Sequence, residues 1–460
     1  MVQDWTRRGF LQRALLGGAG AAAFGSWGAL SRLAHADPLT AVSGERYFIF
    51  CYFSGAWDIL LSLDPRDPLV FNSGSVQTTR ILPGYEYLES SDGQLIDVNG
   101  IVLGPHVGNL AQVMDDVAIV RGMSMETLTH EAGRRRFLTG KSPSGLQARG
   151  SSGATWLASK LGAGNPIPNL AVKVESYNVD QPNYATGMTV NSVPDLVAAL
   201  RNAEPTMDKS LDQLVDGLLG TYGQCTDVEN SAFLSAAEAG RLKAREMVEG
   251  GYEELFDFLG DPAAVDTFNI PLNEANPLST PEAQAAMAVT AITSGMSRVV
   301  SIEAASGLDT HFEEWTTDQG PNQERGFDVF ASMIQTLKAQ EYPGGQGESW
   351  LEHVTLVGFS EICRGAMLNA SMGRDHSLTN ACIVAGAGIQ GGQVIGSSSN
   401  VGMAPTRTNL QTGMTADLAS AGEVVRPEHV LQALMCDVGM TGDEADLRVD
   451  PLAALLKNPV

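Results

Sequence analysis

Positive charge and cysteine are both scarce in this sequence. Lysine and arginine number 29 against 53 aspartates and glutamates, a formal net charge of −24. So acidic a surface repels nucleic acid and anionic lipid and favours solubility, and no nucleic-acid partner is expected. It does not bar a small anionic substrate, because a bound metal or an arginine cluster inverts the potential locally. The five cysteines, at 51, 225, 363, 382 and 436, form no Cys-x-x-Cys pair and no regular spacing, which excludes a disulfide framework. Cys51 and Cys382 sit in apolar, strand-like runs and read as core, and the odd count leaves at least one thiol free or paired between chains. Long apolar runs are also rare: beyond Ala14 to Leu30, no stretch is long enough to span a bilayer.

That one run belongs to a leader. Thr6-Arg7-Arg8-Gly9-Phe10-Leu11 places paired arginines and a Phe-Leu ahead of uncharged Leu, Ala and Gly. The run ends at Arg32, and Ala34-His35-Ala36 offers small residues at the two positions a signal peptidase reads. Residues 1–36 are therefore expected to be a twin-arginine signal peptide cleaved near Ala36. The twin-arginine translocase would be the partner during export, and the mature chain would be periplasmic or secreted. A retained membrane anchor is the alternative, opposed by the short Gly/Ala-rich composition and the cleavage signal. No cysteine follows the cleavage site, which argues against a lipoprotein. Loss of Arg7, Arg8, Arg13 and Arg32 with only Asp4 leaves the remainder more acidic still. The route carries folded cargo, often with a metal already bound, and so hints at one.

Residues 37–460 read as a single α/β domain. Apolar runs at 46–53, 117–120, 170–174, 299–302, 354–359 and 381–385 have the continuous character of strands buried on both faces. Helical stretches lie between them, at 152–161, 281–296 and 327–339. That alternation implies a mostly parallel central sheet flanked by helices. From about 193 to 259 the strand signal fades into Ala, Leu, Glu and Lys at helical spacing, which predicts a helical insertion.

In open α/β sheets the reactive groups collect where strands end. The first strand runs into Gly55-Ala56-Trp57-Asp58, and the run at 117–120 leads to Thr129-His130-Glu131. The run at 299–302 leads to Leu308-Asp309-Thr310-His311, and that at 354–359 to Ser360-Glu361-Ile362-Cys363-Arg364, followed by Gly373-Arg374-Asp375-His376. Carboxylates and imidazoles delivered by several loops are what a divalent metal requires. His106, His353 and His429 lack an acidic loop context and read as structural, and Trp57 and Met367 as packing residues.

The leader, the aromatic strand into Gly-Ala-Trp-Asp58, Leu-Asp309-Thr-His311, Ser360-Glu361-x-x-Arg364 and Gly-Arg374-Asp375-His376 resemble the bacterial domain-of-unknown-function 1501 family over essentially the whole mature chain. That family resembles a branch of the alkaline phosphatase and sulfatase superfamily, whose members have a helix-flanked, mostly parallel sheet and one or two metals. The resemblance implies a divalent metal ion (zinc, manganese or calcium) held by residues from Asp58, His130, Asp309, His311, Glu361, Asp375 and His376. It makes Asp58 the first-strand carboxylate, Asp309 and His311 the metal pair, and Asp375 a ligand or the partner of one. Glu361 takes a carboxylate position that no histidine follows. In the superfamily a Ser, Thr or Cys nucleophile stands nine residues before the Thr of a helix-ending Thr-Gly. Here that Thr-Gly is Thr139-Gly140, and the position holds His130. A formylglycine is excluded there, and Thr129 is one residue out of register. His130 is left as a metal ligand with water as the attacking group, as a nucleophile itself, or as the mark of lost chemistry. Arg134 or Arg364 would stabilise developing negative charge.

The expected function is an exported metal-dependent hydrolase of a small anionic phosphate or sulfate ester. A non-catalytic envelope binding or scaffold protein that keeps the fold, and an acidic site for structural calcium, are the alternatives.

Overall fold

The computed structural model describes residues 45–458, leaving out 92, 146, 202–213, 215–216, 219–249, 418–420 and 441. The leader and the middle of the helical insertion lie outside the described residues. At the insertion's edges are a helix, Val193–Leu200, and short 3-10 turns at Tyr252–Phe256 and Phe258–Gly260. Among the described residues, no helix is long and apolar enough to cross a membrane.

Eight strands build the main sheet: β1 (Tyr47–Phe53), β2 (Val117–Ser124), β3 (Asn169–Val172), β4 (Met188–Val190), β5 (Val299–Ala305), β6 (Val354–Ser360), β7 (Thr379–Gly386) and β8 (Gln393–Ile395). Their order across the sheet is β8-β2-β7-β6-β1-β5-β3-β4. β7 runs antiparallel to both neighbours, and every other adjacent pair is parallel. The sheet is thus mixed and mostly parallel, as the alternating pattern implied.

Every residue of β1 is buried. Because side chains alternate across a strand, Tyr47, Ile49, Cys51 and Phe53 enter one core while Phe48, Phe50 and Tyr52 enter the other. The Val193–Leu200 helix, Pro281–Thr293 and Gln319–Ala339 cover the first face. His130–Thr139, Gly153–Leu161 and Pro427–Asp437 cover the second. In chain order these six helices are α1 (130–139), α2 (153–161), α3 (193–200), α4 (281–293), α5 (319–339) and α6 (427–437). Two layers of helix on one sheet explain why the strands read as unbroken apolar runs.

α5 begins at Gln319, ahead of the start at 327 that the pattern suggested. Gly320-Pro321 reads as a break, yet a proline in the first turn has no intrahelical N–H bond to lose. β4 and β8 are three residues each and too short to register in the pattern.

The carboxyl ends of β1, β2, β5 and β6 share one edge of the sheet, and antiparallel β7 starts there. The loop before β7 therefore joins the loops that follow the other four.

Phe53 is fully buried, with ring centroids 5.0 Å from Trp57 and 4.9 Å from Phe327. Phe53→Ala is expected to cost about 3–5 kcal/mol in urea unfolding. A loss below about 1 kcal/mol would contradict this packing.

Candidate metal centre

Four side chains converge at that edge: His130, Asp309, His311 and His376 each offer one ligand atom, all within 4.8 Å of one another. His130 is the first residue of α1, which follows β2 and closes at Gly140 with a left-handed φ of 66°. Asp309 and His311 lie in the loop after β5. His376 lies in a short antiparallel pairing with Arg364, just ahead of β7.

Each imidazole has its second nitrogen engaged. His130 Nδ1 is 2.8 Å from Glu361 Oε1, His376 Nδ1 is 2.6 Å from the Leu128 carbonyl, and His311 Nδ1 is 3.4 Å from Asp375 Oδ1. All three acceptors are oxygens, so each Nδ1 can donate to its partner, an arrangement that turns the Nε2 atoms toward one another and Asp309. His311 Nε2 is 3.0 Å from His376 Nε2, and Asp309 Oδ1 lies 3.1, 3.2 and 3.7 Å from the Nε2 atoms of His311, His130 and His376. His130 Nε2 is buried and makes no hydrogen bond. Donor atoms gathered this closely draw positive charge among them, and the Arg364 guanidinium supplies part of it, with Nη1 3.2 Å from His311 Nε2. A tetrahedral zinc with ligands near 2.0–2.1 Å has ligand–ligand edges of about 3.3 Å. The observed spacings bracket that value, so the donor set fits a divalent metal.

The surroundings hold the donors in place. Glu361 follows β6 directly, and its Oε1 also accepts from the Gly55 amide at 2.9 Å while Oε2 accepts from Ser360 Oγ at 3.0 Å. Burial would raise its carboxyl, but the hydrogen bonds from His130 and the backbone overcome that and hold it below its ordinary value. The Glu361 hydrogen bond raises His130 against the opposing effect of burial. Burial and the positive charge of Arg364 lower His376. Asp309 would be raised by burial, but its contact with Arg364 lowers it. Gly133 lets α1 lie against this loop, because a Cβ there would stand 2.1 Å from the Glu361 carbonyl oxygen.

Several residues singled out in the sequence have other roles. Asp58 is fully buried and outside the four donors: its Oδ2 accepts from Trp315 Nε1 at 2.8 Å and pairs with Arg374 Nε at 2.9 Å, and its Oδ1 accepts from the Leu60 amide. It anchors Arg374, the residue two before His376. Glu361 and Asp375 orient histidines. The Arg364 side chain is fully buried, and its N–H groups go to the carbonyls of Ala56, Gly55 and Arg374 and to Asp309 Oδ1 at 2.6 Å, with Nη1 3.2 Å from His311 Nε2. It fixes Asp309 and does not face solvent. Arg134, one turn along α1 from His130, is paired with Glu175 at 2.8 Å. The Leu128 carbonyl was missed because a backbone acceptor leaves no mark in a sequence. Arg374 stands out in the sequence only as part of a motif, since its burial against Asp58 leaves no mark there.

The chain matches the model of a family described as protein of unknown function (DUF1501) over residues 46–419. No curated protein matches it. Among solved structures it is similar to Ps i-CgsB in complex with k-i-k-neocarrahexaose, at 9% identity and a TM-score of 0.38, covering 88% of this chain and 74% of that one. It is also similar to a protein in the alkaline phosphatase superfamily from Vibrio parahaemolyticus, at 10% identity and a TM-score of 0.33, covering 84% and 74%. Likenesses this low carry no argument, and the site rests on its own geometry.

Asp58→Ala should destabilise the fold by about 3–5 kcal/mol in urea, because Arg374 would be left buried without its partner. Glu361→Gln should instead weaken metal binding by about 10–100-fold in a competitive chelator titration. Wild-type affinity in that variant would show that Glu361 does not tune the centre.

Proposed function

The chain belongs to the DUF1501 family, and from that premise we propose that it is an exported, metal-dependent hydrolase of phosphate or sulfate esters. The observation that carries this reading is the gathering of three imidazole nitrogens and one carboxylate oxygen within 4.8 Å of one another.

His130, His311 and His376 through Nε2, with Asp309 through Oδ1, would hold the ion. Three nitrogen donors favour zinc or another transition metal over calcium, which takes oxygen ligands. A bound divalent ion supplies Lewis acidity toward an ester oxygen and toward water. Glu361, the Leu128 carbonyl and Asp375 keep the three rings in the tautomer that presents Nε2. Arg364 holds Asp309 in register. The side chain of Asp309 is 54% exposed and that of Asp375 74% exposed, so the group has an open side from which a small anionic ester can approach. His130 supports the ligand role over the nucleophile role, since its Nε2 points among the other donors. Twin-arginine export, with Arg7 and Arg8 as the signal, would deliver the folded protein to the periplasm.

One observation favours a second reading. Four protein donors fill a tetrahedral shell, as they do in structural zinc sites, and a chain that kept the metal without turnover would be an envelope binding or scaffold protein.

The test is elemental analysis of protein recovered from a periplasm, beside an Asp309→Ala/His376→Ala double variant, followed by chromogenic phosphate and sulfate esters. Roughly one equivalent of transition metal, absent from the variant, is expected. Ester turnover should fall with it by at least about 100-fold. Metal without turnover on any ester would leave the scaffold, and no metal in the wild type would sink the hydrolase and leave a scaffold that keeps only the fold.

A further inference from the structure

A cavity of about 490 Å³, none of whose lining residues is a metal donor, brings together Ser90, His106 and Glu324. His106 Nδ1 is 2.8 Å from Glu324 Oε2, and His106 Nε2 is 3.4 Å from Ser90 Oγ. With Nδ1–H donating to Glu324, the imidazole would turn the Nε2 lone pair toward the serine hydroxyl. Hydroxyl, imidazole and carboxylate in that order is the arrangement that activates a serine, and its hydroxyl–base distance is commonly loose without substrate. The base is shielded, with His106 only 2% exposed, while Ser90 is open to solvent.

A second observation bears on the ring. A Cβ at Gly320, in the first turn of α5, would stand 2.4 Å from His106 Nε2. Only glycine there leaves the imidazole its place between helix and serine.

We propose that Ser90, His106 and Glu324 form a second hydrolytic centre, a serine esterase site for neutral or cationic carboxylic esters. The charge of the cavity decides the substrate class. Glu282, Glu324 and Asp328 line it, and the one arginine on its wall, Arg325, is paired with Glu282 at 2.6 Å. An anionic ester is repelled here, in contrast to the metal centre. Ser90 Oγ bonds to the acyl carbon as its proton passes to His106 Nε2, and Glu324 stabilises the imidazolium. The ester C–O bond then breaks, and the alcohol leaves with the proton from Nε2. Water attacks the acyl-serine, gives a proton to Nε2, and releases the carboxylic acid as Ser90 regains its hydrogen. Asn109 also lines the cavity, and its amide oxygen accepts from Gln112 Nε2 at 2.7 Å, which leaves its NH₂ to donate elsewhere.

The test is a fluorophosphonate probe on the full-length protein as purified, repeated in chelator, with the adduct located by peptide mass spectrometry. Phosphonylation of Ser90 with loss of fluoride is expected in both conditions. Labelling should vanish in Ser90→Ala, a surface change that leaves packing intact, and slow by at least about 100-fold in His106→Asn. Hydrolysis of p-nitrophenyl acetate should follow the same order. No adduct on Ser90 in protein with a native circular dichroism spectrum would overturn the proposal. An adduct formed equally fast in a folded His106→Asn variant would overturn it too, and should that variant not fold, Glu324→Gln gives the same reading.

Discussion

The buried guanidinium of Arg364 is the contact on which the metal centre depends. It bonds to the carbonyls of Gly55 and Ala56 after β1, to Asp309 after β5 and to the Arg374 carbonyl ahead of β7. Three loops that share no sequence neighbourhood are thereby tied to one rigid, planar fork. A guanidinium this deep is costly to desolvate, and full occupation of its donors offsets the cost. The neighbouring Asp58–Arg374 pair does the same for the backbone that carries Asp375 and His376. Loops held this way bring the donors together with the guanidinium among them.

This division of labour separates charge that builds the site from charge that faces outward. Asp58, Arg364 and Arg374 are buried and spent on one another or on carbonyls, while Asp309 and Asp375 reach solvent. The histidines lie between, each with one nitrogen fixed by an oxygen and the other turned inward. Preorganisation of this kind places the entropic cost of assembling the site in folding.

Much of this was legible in the sequence, for physical reasons. The sheet is sandwiched between helices, so β1 or β6 could not be other than an unbroken apolar run. The donors sit where strands end, which is where an acid followed by a histidine draws notice. What the sequence could not carry was partnership across the fold. Nothing near Asp58 announces that Trp315 and Arg374 will occupy its carboxylate, and nothing near His106 announces Glu324, brought by the packing of α5. Arg364 looked suited to meet an anion because its isolation from solvent comes only from three loops closing over it.

The Gly55 amide meets a carboxylate 306 residues further along the chain, and His130 reaches partners 231 residues away. A ribosome delivering this polypeptide releases the first imidazole donor long before the last, so the nascent chain holds an incomplete ligand set until β6 and β7 emerge and join β1. Capture of an ion by these donors would accordingly be a late event, coinciding with closure of the sheet. The element taken up would then be settled by whichever cations surround the chain when it closes, since protein sites of this type rank first-row metals by affinity much as free ligands do. Where in the cell the last strands find their places would then decide which ion the donors meet.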